Sequence, residues 1–327
     1  SIAISTFQAG KVILFSATDA NNLQQLPRSF EKAMGMCVQD RRMAVATKNE
    51  VVVLADASGL AKNYAAPSNY DALYLPRAVY YVGEVDIHDM AWGQQGLYAV
   101  NTRFSCLSLI NDQYSFLPIW KPPFITQFTP SDLCHLNGMA LGSDGRPKYV
   151  TMLGSTTEPK GWRAGVLQDG LVMDVTCNEM VLNHLAMPHS PRLYDGDLYL
   201  LLSAKGEIIR ANLTNNTYDV VTRLAGFVRG MARRGDYIFV GMSKLRKNAS
   251  TFRDLPIAEE AIYCGVEIIH LPTGNVVGNI RYQASVEEIY DVQIVPDRTR
   301  PSILNHQTDE HKRALNTPQI DFWSPSN

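Results

Sequence analysis

The sequence predicts an all-β fold, a β-propeller of six blades, and three observations carry this prediction. Short β-rich runs separated by Gly, Asp, Asn and Pro dominate the chain, and most of it has no helical periodicity. Neighbouring runs are joined by tight turns such as Asp195-Gly196 and Gly235-Asp236, which form the hairpin unit of a blade. A similar small-residue turn followed by a strand also recurs at intervals of roughly one blade.

The strands are predicted from the N-terminus onward by their β-branched and aromatic content. The runs are KVILFSA, RMAVAT, EVVVLADA, GLYAVNT, DGDLYLLLSA, GEIIRANL, GDYIFVGMS and GVEIIHL. We expect the N-terminal KVILFSA strand to join the last blade and close the ring, because closure removes exposed sheet edges.

Six segments align on a small residue that precedes a strand. They are Ala33–Met36, Ile87–Met90, Leu136–Met139, Ser190–Leu193, Val228–Met231 and Ile289–Val292. Six units imply six blades, with five or seven as alternatives because the C-terminal third is less regular.

Equivalent strand positions of a propeller face one axis, so the alignment predicts two rows of side chains around it. The first row is Lys32, Asp86, His135, His189, Phe227 and Glu288. The second row is Met34, His88, Asn137, Pro191, Arg229 and Tyr290. A channel with a purely structural role would not require so many ionisable groups, so the rows predict a functional site on the axis.

Composition bounds the domain organisation and the partners. A chain of 327 residues, 46% hydrophobic and 19% charged, suits one large soluble domain, which we place at residues 1–303, followed by a polar tail at residues 304–327. The net charge of −2 indicates neither a nucleic-acid nor a membrane partner. Five scattered cysteines without a C-x-x-C pair favour a reducing compartment, and we expect a cytoplasmic location.

A series of motifs extends over roughly residues 30 to 300. They are HDMAWGQQGLYAVNTRFSCLS, PIWKPPFI, DLCHLNGMAL, GWRAGV, MPHSPRLYDGDLYLL, GFVRGMARRGDYIFVGMSKLR and CGVEIIHLPTG. Together they resemble a bacterial protein family of unknown function. The resemblance implies a β-propeller-like fold and no particular reaction, so the function has to be inferred from the residues themselves.

His88, His135 and His189 are the candidate metal ligands. The first two are 47 residues apart and the last two 54 residues apart, about one blade each, so rotational symmetry would gather their imidazoles at the axis. Three imidazoles and a carboxylate suit a divalent transition metal such as Fe, Cu, Mn or Zn. We favour Glu288 as the carboxylate, with Asp86 in reserve. The structural alternative is that each histidine only caps a strand or turn.

Arg229, Tyr290 and Asn137 are the predicted catalytic side chains. Arg229 would hold an acidic substrate through its guanidinium group, or else form a buried salt bridge to Asp86 or Glu288. Tyr290 would donate a proton or merely fill space, and Asn137 would assist proton movement. Asp86, Asn137 and Glu288 could alternatively supply oxygen ligands to a hard cation.

Long polar loops between the blades carry the remaining candidates. Trp162, Arg163, Lys244 and Arg246 lie on such loops and, with Asp86, are the predicted substrate-binding residues, because function is often sited on loops over a rigid scaffold. On the far face of the propeller the same loops would be ordinary solvated connections.

The leading hypothesis is a propeller metalloenzyme, an oxidoreductase or lyase, that acts on a small anionic or peptide-like substrate. The alternative is a noncatalytic propeller that binds a peptide, glycan or protein at the channel mouth. An oxygen-only metal shell would instead indicate a calcium-dependent, lactonase-like hydrolase. A Gly-x-Ser-x-Gly elbow, a P-loop and a dinucleotide fingerprint are all absent from the sequence, which argues against the corresponding enzymes.

Overall fold

A computed structural model describes residues 1–64, 69–245, 252 and 255–325. Within these residues, six separate antiparallel sheets of four strands are arranged as the blades of a propeller, and one sheet gains a fifth, parallel strand. The six-bladed all-β prediction is confirmed. Among the described residues, no helix has the length and apolar composition needed to cross a bilayer.

The first three blades contain the following strands. Blade 1 has β1 (Ile2–Thr6), β2 (Lys11–Ala17), β3 (Leu23–Ser29) and β24 (Asp291–Ile294). Blade 2 has β4 (Met36–Gln39), β5 (Arg42–Ala46), β6 (Glu50–Asp56), β7 (Ala72–Tyr81) and β25 (Pro301–Ile303). Blade 3 has β8 (Ile87–Gly93), β9 (Gly96–Asn101), β10 (Cys106–Ile110) and β11 (Leu117–Trp120).

The other three blades follow the same meander. Blade 4 has β12 (Leu136–Leu141), β13 (Pro147–Met152), β14 (Gly170–Asp174) and β15 (Glu179–Leu185). Blade 5 has β16 (Pro188–Tyr194), β17 (Asp197–Leu202), β18 (Glu207–Asn212) and β19 (Thr217–Arg223). Blade 6 has β20 (Phe227–Arg234), β21 (Tyr237–Ser243), β22 (Cys264–His270) and β23 (Asn275–Tyr282). The first strand of each aligned unit is the innermost strand of its blade.

Blade 1 closes the ring with strands from both parts of the chain. The innermost strand β24 pairs antiparallel with β1, Val292 opposite Ile4, and β2 and β3 follow outward. Closure by the N-terminal segment is therefore confirmed. The strand that meets β24 is β1, whereas the predicted KVILFSA run is β2, one position further from the axis.

The core lies between neighbouring blades, which explains the continuous apolar runs. A strand sandwiched between two sheets buries both of its faces, so it does not alternate apolar and polar residues. In β17, Leu198, Leu200, Leu201 and Leu202 are each at most 1% exposed. Packing of this kind holds the innermost strands in a fixed ring around the axis.

The C-terminal segment packs on the outside of blade 2. Its strand β25 pairs parallel with β7, and a short hairpin follows, β26 (Ala314–Asn316) and β27 (Asp321–Trp323). Trp323 stacks on Tyr64 with ring centroids 6.0 Å apart, close to the short helix α1 (Ser58–Ala61). Trp323 thus anchors the tail, whereas Phe322 is 46% exposed.

Candidate functional site

His88 enters the site from the start of β8. Its Nδ1 lies 2.9 Å from the carbonyl oxygen of Asp86 and 2.7 Å from Oγ1 of Thr102. The Thr102 hydroxyl donates its proton to the carbonyl of Leu136 in the next blade, at 2.5 Å. Since this hydroxyl has one proton, its oxygen accepts from the ring, and Nδ1 of His88 carries the proton. The lone pair of the neutral ring is therefore on Nε2.

His189 repeats this arrangement two blades further on. Its Nδ1 lies 3.1 Å from the carbonyl oxygen of Met187 and 2.8 Å from Oγ of Ser203. The Ser203 hydroxyl donates to the carbonyl of Val228 in the next blade, at 2.6 Å. In both blades the hydroxyl follows the histidine by fourteen residues. We call each set of imidazole, hydroxyl and carbonyl a histidine relay.

The relays correct the sequence alignment of blade 5. His189 is equivalent to His88, not to His135, and it takes the place in the second row that the alignment gave to Pro191. Met187 takes the place in the first row. The first-row residues of blades 2 to 5 then share a left-handed backbone, with φ between 51° and 56°: Lys32, Asp86, His135 and Met187.

The error in blade 5 has a physical cause. The alignment matched Ser190 with Val228, but the structure matches it with Gly230, because both occupy a left-handed position just after the axial residue, with φ of 51° and 76°. Glycine is the usual residue at such a position, and a serine there does not mark the bulge in the sequence.

His135 is held by a carboxylate and a tryptophan. Its Nδ1 lies 3.0 Å from Oδ2 of Asp132, and Nε1 of Trp162 donates to the same oxygen at 3.1 Å. The rings of His135 and Trp162 have centroids 4.3 Å apart, and those of His135 and His88 are 4.8 Å apart. The sequence prediction that histidines from different blades meet at the axis is thus correct for this pair.

The electrostatic environment keeps two of the imidazoles neutral. Burial lowers the pKa of His88 well below its usual value, and the neighbouring His135 and Arg229 lower it further. Burial, followed by the charge of Arg229, does the same to the pKa of His189. At neutral pH both Nε2 atoms are therefore hydrogen-bond acceptors.

Arg229 is partly satisfied by its neighbours. Its Nη1 lies 3.6 Å from Oε1 of Glu288, and its guanidinium carbon lies 3.8 Å from the ring centroid of Tyr290. The salt bridge that the sequence offered as an alternative is therefore present. The Tyr290 hydroxyl is buried and has no hydrogen-bond partner among the described residues, and burial raises its pKa well above the usual value.

Two predicted residues stand apart from the others. Asn137 is 4% exposed and accepts a hydrogen bond from Thr151 at 2.7 Å, and it does not line the axial cavity. Arg246 lies outside the described residues. Asp86, by contrast, lines the cavity and pairs with Lys32 at 2.8 Å and Arg103 at 3.3 Å.

A cavity of about 400 Å³ occupies the axis at this end of the propeller. Ten predicted site residues line it: Asp86, His88, His135, Trp162, Arg163, His189, Arg229, Lys244, Glu288 and Tyr290. Sequence reasoning missed Asp132, Lys160 and Phe252, which also line it from loops. Asp132 stands three residues before His135, and Lys160 stands two residues before Trp162, so both lie close in sequence to predicted site residues.

The described side chains around the cavity carry an excess of positive charge. Five of them are basic and three are carboxylates. The carboxylates are all engaged, Asp86 by Lys32, Asp132 by His135 and Glu288 by Arg229. Within the part of the chain that the structure describes, the remaining three basic residues form no ion pair, and we call them the free cations: Lys160, Arg163 and Lys244.

The metal prediction receives no geometric support. Among the described residues, no group of three or more His, Cys, Asp or Glu side chains has the arrangement of a metal site. In His88, His135 and His189 the hydrogen bonds occupy Nδ1, so Nε2 is the ring nitrogen that could contact a ligand. The transition-metal site stays a prediction.

The thiols of two cysteines are shielded from solvent in the core. Cys106 and Cys134 are both fully buried. Burial raises the pKa of Cys106 to about 11 and that of Cys134 to about 12. Buried thiols whose pKa is raised in this way are not nucleophiles at neutral pH.

Comparison with known proteins shows the fold and the family. A chain of the crystal structure of the nidogen/laminin complex is similar, with a TM-score of 0.55 and 8% identity over 89% of this chain and 97% of that chain. The Pan2 WD40 domain of Neurospora crassa has a TM-score of 0.42 and 14% identity, over 76% and 66% of the two chains. No curated protein sequence matches. The family described as "Domain of unknown function (DUF4915)" matches residues 1–304, and the chain belongs to that family.

Proposed function

We propose that the axial cavity binds a small organic acid. The observation that carries this proposal is the set of free cations around it, Lys160, Arg163 and Lys244. An acidic group in the cavity would supply the partner that these side chains lack, through charge-assisted hydrogen bonds. Lys160 and Arg163 are exposed and Lys244 is half-buried, so the cations extend from the solvent into the cavity.

The size and walls of the cavity suit a ligand of this kind. Its volume of about 400 Å³ lies within the range of small-molecule sites, which is roughly 300–1,000 Å³. Aromatic rings of Trp162, Phe227 and Phe252 line it beside the charged groups. A mixture of apolar walls and a few convergent polar groups is typical of sites that bind small molecules.

Calorimetric titration with three probes of similar ring size tests the proposal. Cyclohexanecarboxylate and D-glucuronate carry an acidic group, and D-glucose does not. We expect both acids to bind more tightly than D-glucose. Lys244→Gln should weaken both acids about tenfold or more, because a hydrogen bond to a charged group contributes about 1.5–3 kcal/mol.

Lys62→Gln is the matched control, because Lys62 is exposed and lies outside the cavity lining. It makes the same change in charge and should leave both affinities unchanged. The proposal would be contradicted if the wild type bound D-glucose as tightly as the acids. It would also be contradicted if Lys62→Gln and Lys244→Gln lost the same affinity for the acids.

A metal-dependent enzyme is the second candidate function. The observation that favours it is the fixing of Nδ1 in His88, His135 and His189 by backbone carbonyls, hydroxyls or a carboxylate. Histidines that bind metals are oriented by such contacts, which leave Nε2 as the ligand atom. A divalent transition metal held by these rings and Glu288 would activate water or polarise a substrate carbonyl.

Metal analysis of protein purified without a histidine tag tests this candidate. It predicts a stoichiometric transition metal that is lost in a His135→Ala, His189→Ala double variant. If the protein takes up neither Zn²⁺ nor Co²⁺ in calorimetric titration, the metal-dependent function is rejected. The acid-binding proposal does not depend on that result.

A further inference from the structure

The two histidine relays present the same kind of atom to one cavity. In each relay a Ser or Thr hydroxyl and a backbone carbonyl occupy Nδ1, which leaves the lone pair of His88 and of His189 on Nε2. Within the described parts of the chain, neither Nε2 has a hydrogen-bond partner. Both histidines line the cavity, so a bound molecule is the partner within reach.

The Nε2 acceptors of His88 and His189 determine which chemical group of a ligand can lie next to them. A carboxylate has only acceptor atoms, so it would be repelled by the Nε2 lone pairs and belongs beside the free cations. An ammonium group would meet the positive charge of Arg229, which lies close enough to lower the pKa of both imidazoles. An uncharged donor, such as a hydroxyl group, satisfies Nε2 without either conflict.

The hydroxyl of Tyr290 is a third polar group in the cavity without a hydrogen-bond partner in the described structure. Tyr290 is 5% exposed. Its ring lies 5.4 Å from that of His88, centroid to centroid. A phenol both donates and accepts, so a hydroxyl group placed near His88 could pair with both side chains.

We propose that the ligand of the cavity is a hydroxylated acid of the sugar-acid type. Its acidic group binds the free cations, and its hydroxyl groups donate to Nε2 of His88 and of His189. This inference rests on the proposed function, which requires only the acid. The relays act as positioning devices, because they determine which ring nitrogen faces the ligand.

The tautomers can be observed without any ligand. Long-range ¹H–¹⁵N correlation spectra of ¹⁵N-histidine-labelled protein should show the Nδ1–H tautomer for both His88 and His189 at pH 7.5. Thr102→Val should release His88 alone and populate its Nε2–H tautomer. Thr151→Val removes the equivalent hydroxyl of blade 4, which bonds to Asn137, and should change neither histidine. The Nε2–H tautomer in the wild type would overturn the inference.

Affinity for the three ring probes completes the test. The wild type should bind D-glucuronate at least tenfold more tightly than cyclohexanecarboxylate. Thr102→Val should weaken D-glucuronate binding about tenfold and leave the affinity for cyclohexanecarboxylate unchanged. Thr151→Val should change neither affinity. Equal affinities for the two acids would overturn this inference and leave the proposed function standing. Failure of both acids to bind would overturn both proposals.

Discussion

Two neighbouring regions of the axis use charged residues in opposite ways. At the cavity, three basic side chains lack an acidic partner among the described residues. One step further along the same innermost strands, Arg192 lies between Asp89 and Asp291, at 2.8 Å and 3.8 Å. We call these three residues the axial plug. The guanidinium of the plug contacts both carboxylates inside the protein, whereas the three free cations of the cavity form no ion pair in the described structure.

The plug also joins the blades. Asp89 accepts the backbone N–H of Met139 in the next blade at 3.1 Å, and Asp291 accepts that of Met36 at 3.1 Å. Burial raises the pKa of Asp291 to about 6, although the charge of Arg192 opposes the increase. The comparison teaches that the blades pair the buried charges of the plug with one another, whereas the more exposed free cations have no acidic partner among the described residues.

The largest expected effect follows from removing the cation of the plug. Arg192→Met leaves two buried carboxylates without their partner, and breaking a buried pair in this way costs about 3–5 kcal/mol. Arg210→Met is the matched control, because the ion pairs of Arg210 among the described residues are exposed, at 3.7 Å and 3.6 Å. Its loss should cost less than about 1 kcal/mol. Urea unfolding of both variants measures the difference, and similar losses would remove the distinction between plug and surface.

Close packing of the innermost strands gives the next effect. Gly230 has φ of +76°, and a Cβ there would lie 2.6 Å from the backbone nitrogen of Val292. Gly235, on the turn after β20, has φ of +58° and open space around it. Gly235→Ala should cost about 1–2 kcal/mol through its backbone conformation alone. Gly230→Ala should exceed it by at least about 1 kcal/mol because of the clash. Equal costs would show that the ring tolerates movement there.

The pH dependence of stability distinguishes the cavity histidines from the plug. The folded pKa of His189 is lowered, so the folded state binds fewer protons than the unfolded state below pH about 6.5. Its contribution to the free energy of unfolding is complete above that pH and is lost as the pH falls, by up to about 1.4 kcal/mol per pH unit. Asp291, with a raised pKa, loses its contribution as the pH rises through about 6.

Because these trends oppose each other, the difference between variants is the quantity to measure. Denaturant unfolding between pH 5 and pH 8 should have a shallower acid-side slope in His189→Gln than in the wild type. His184→Gln alters an exposed histidine and should retain the wild-type slope. Parallel slopes in all three proteins would contradict the neutral assignment of His189.

The smallest effect is expected from the free cations. Lys244 forms no ion pair in the described structure, so Lys244→Gln should change the free energy of unfolding by less than about 0.5 kcal/mol. The same variant is expected to bind both acids about tenfold or more weakly. A large loss of stability would show that Lys244 has a structural role, as the plug residues do, and would contradict its assignment to the ligand site.

The sequence predicted the fold and many of the residues that line the axial cavity, because both follow from the repeat. Hairpin turns and blade-length intervals are local signals, and rotational symmetry then places His88 and His135 at one axis. The error at His189 arose where Ser190 took a backbone position that glycine normally marks. The plug was not predicted, because it joins three blades through the side chain of Arg192, and no local pattern records such a contact.

The histidine relays left a signal that becomes visible only with the structure. A Ser or Thr fourteen residues after His88 and after His189 reflects one hairpin, with the ring on its first strand and the hydroxyl at the end of its second. Without strand pairing, that spacing has no meaning. Lys160 lies on the same loop as Trp162 and Arg163, but this proximity in sequence does not single out its side chain as one that reaches the cavity.

Titration of the two acids into a Lys160→Gln, Arg163→Gln, Lys244→Gln triple variant tests the central claim most directly. The wild type should bind D-glucuronate and cyclohexanecarboxylate at one saturable site, and the triple variant should lose at least about 100-fold in affinity for each. Its unfolding midpoint in urea should remain close to that of the wild type. Unchanged binding in a stably folded triple variant would contradict the assignment of the axial cavity as an acid-binding site.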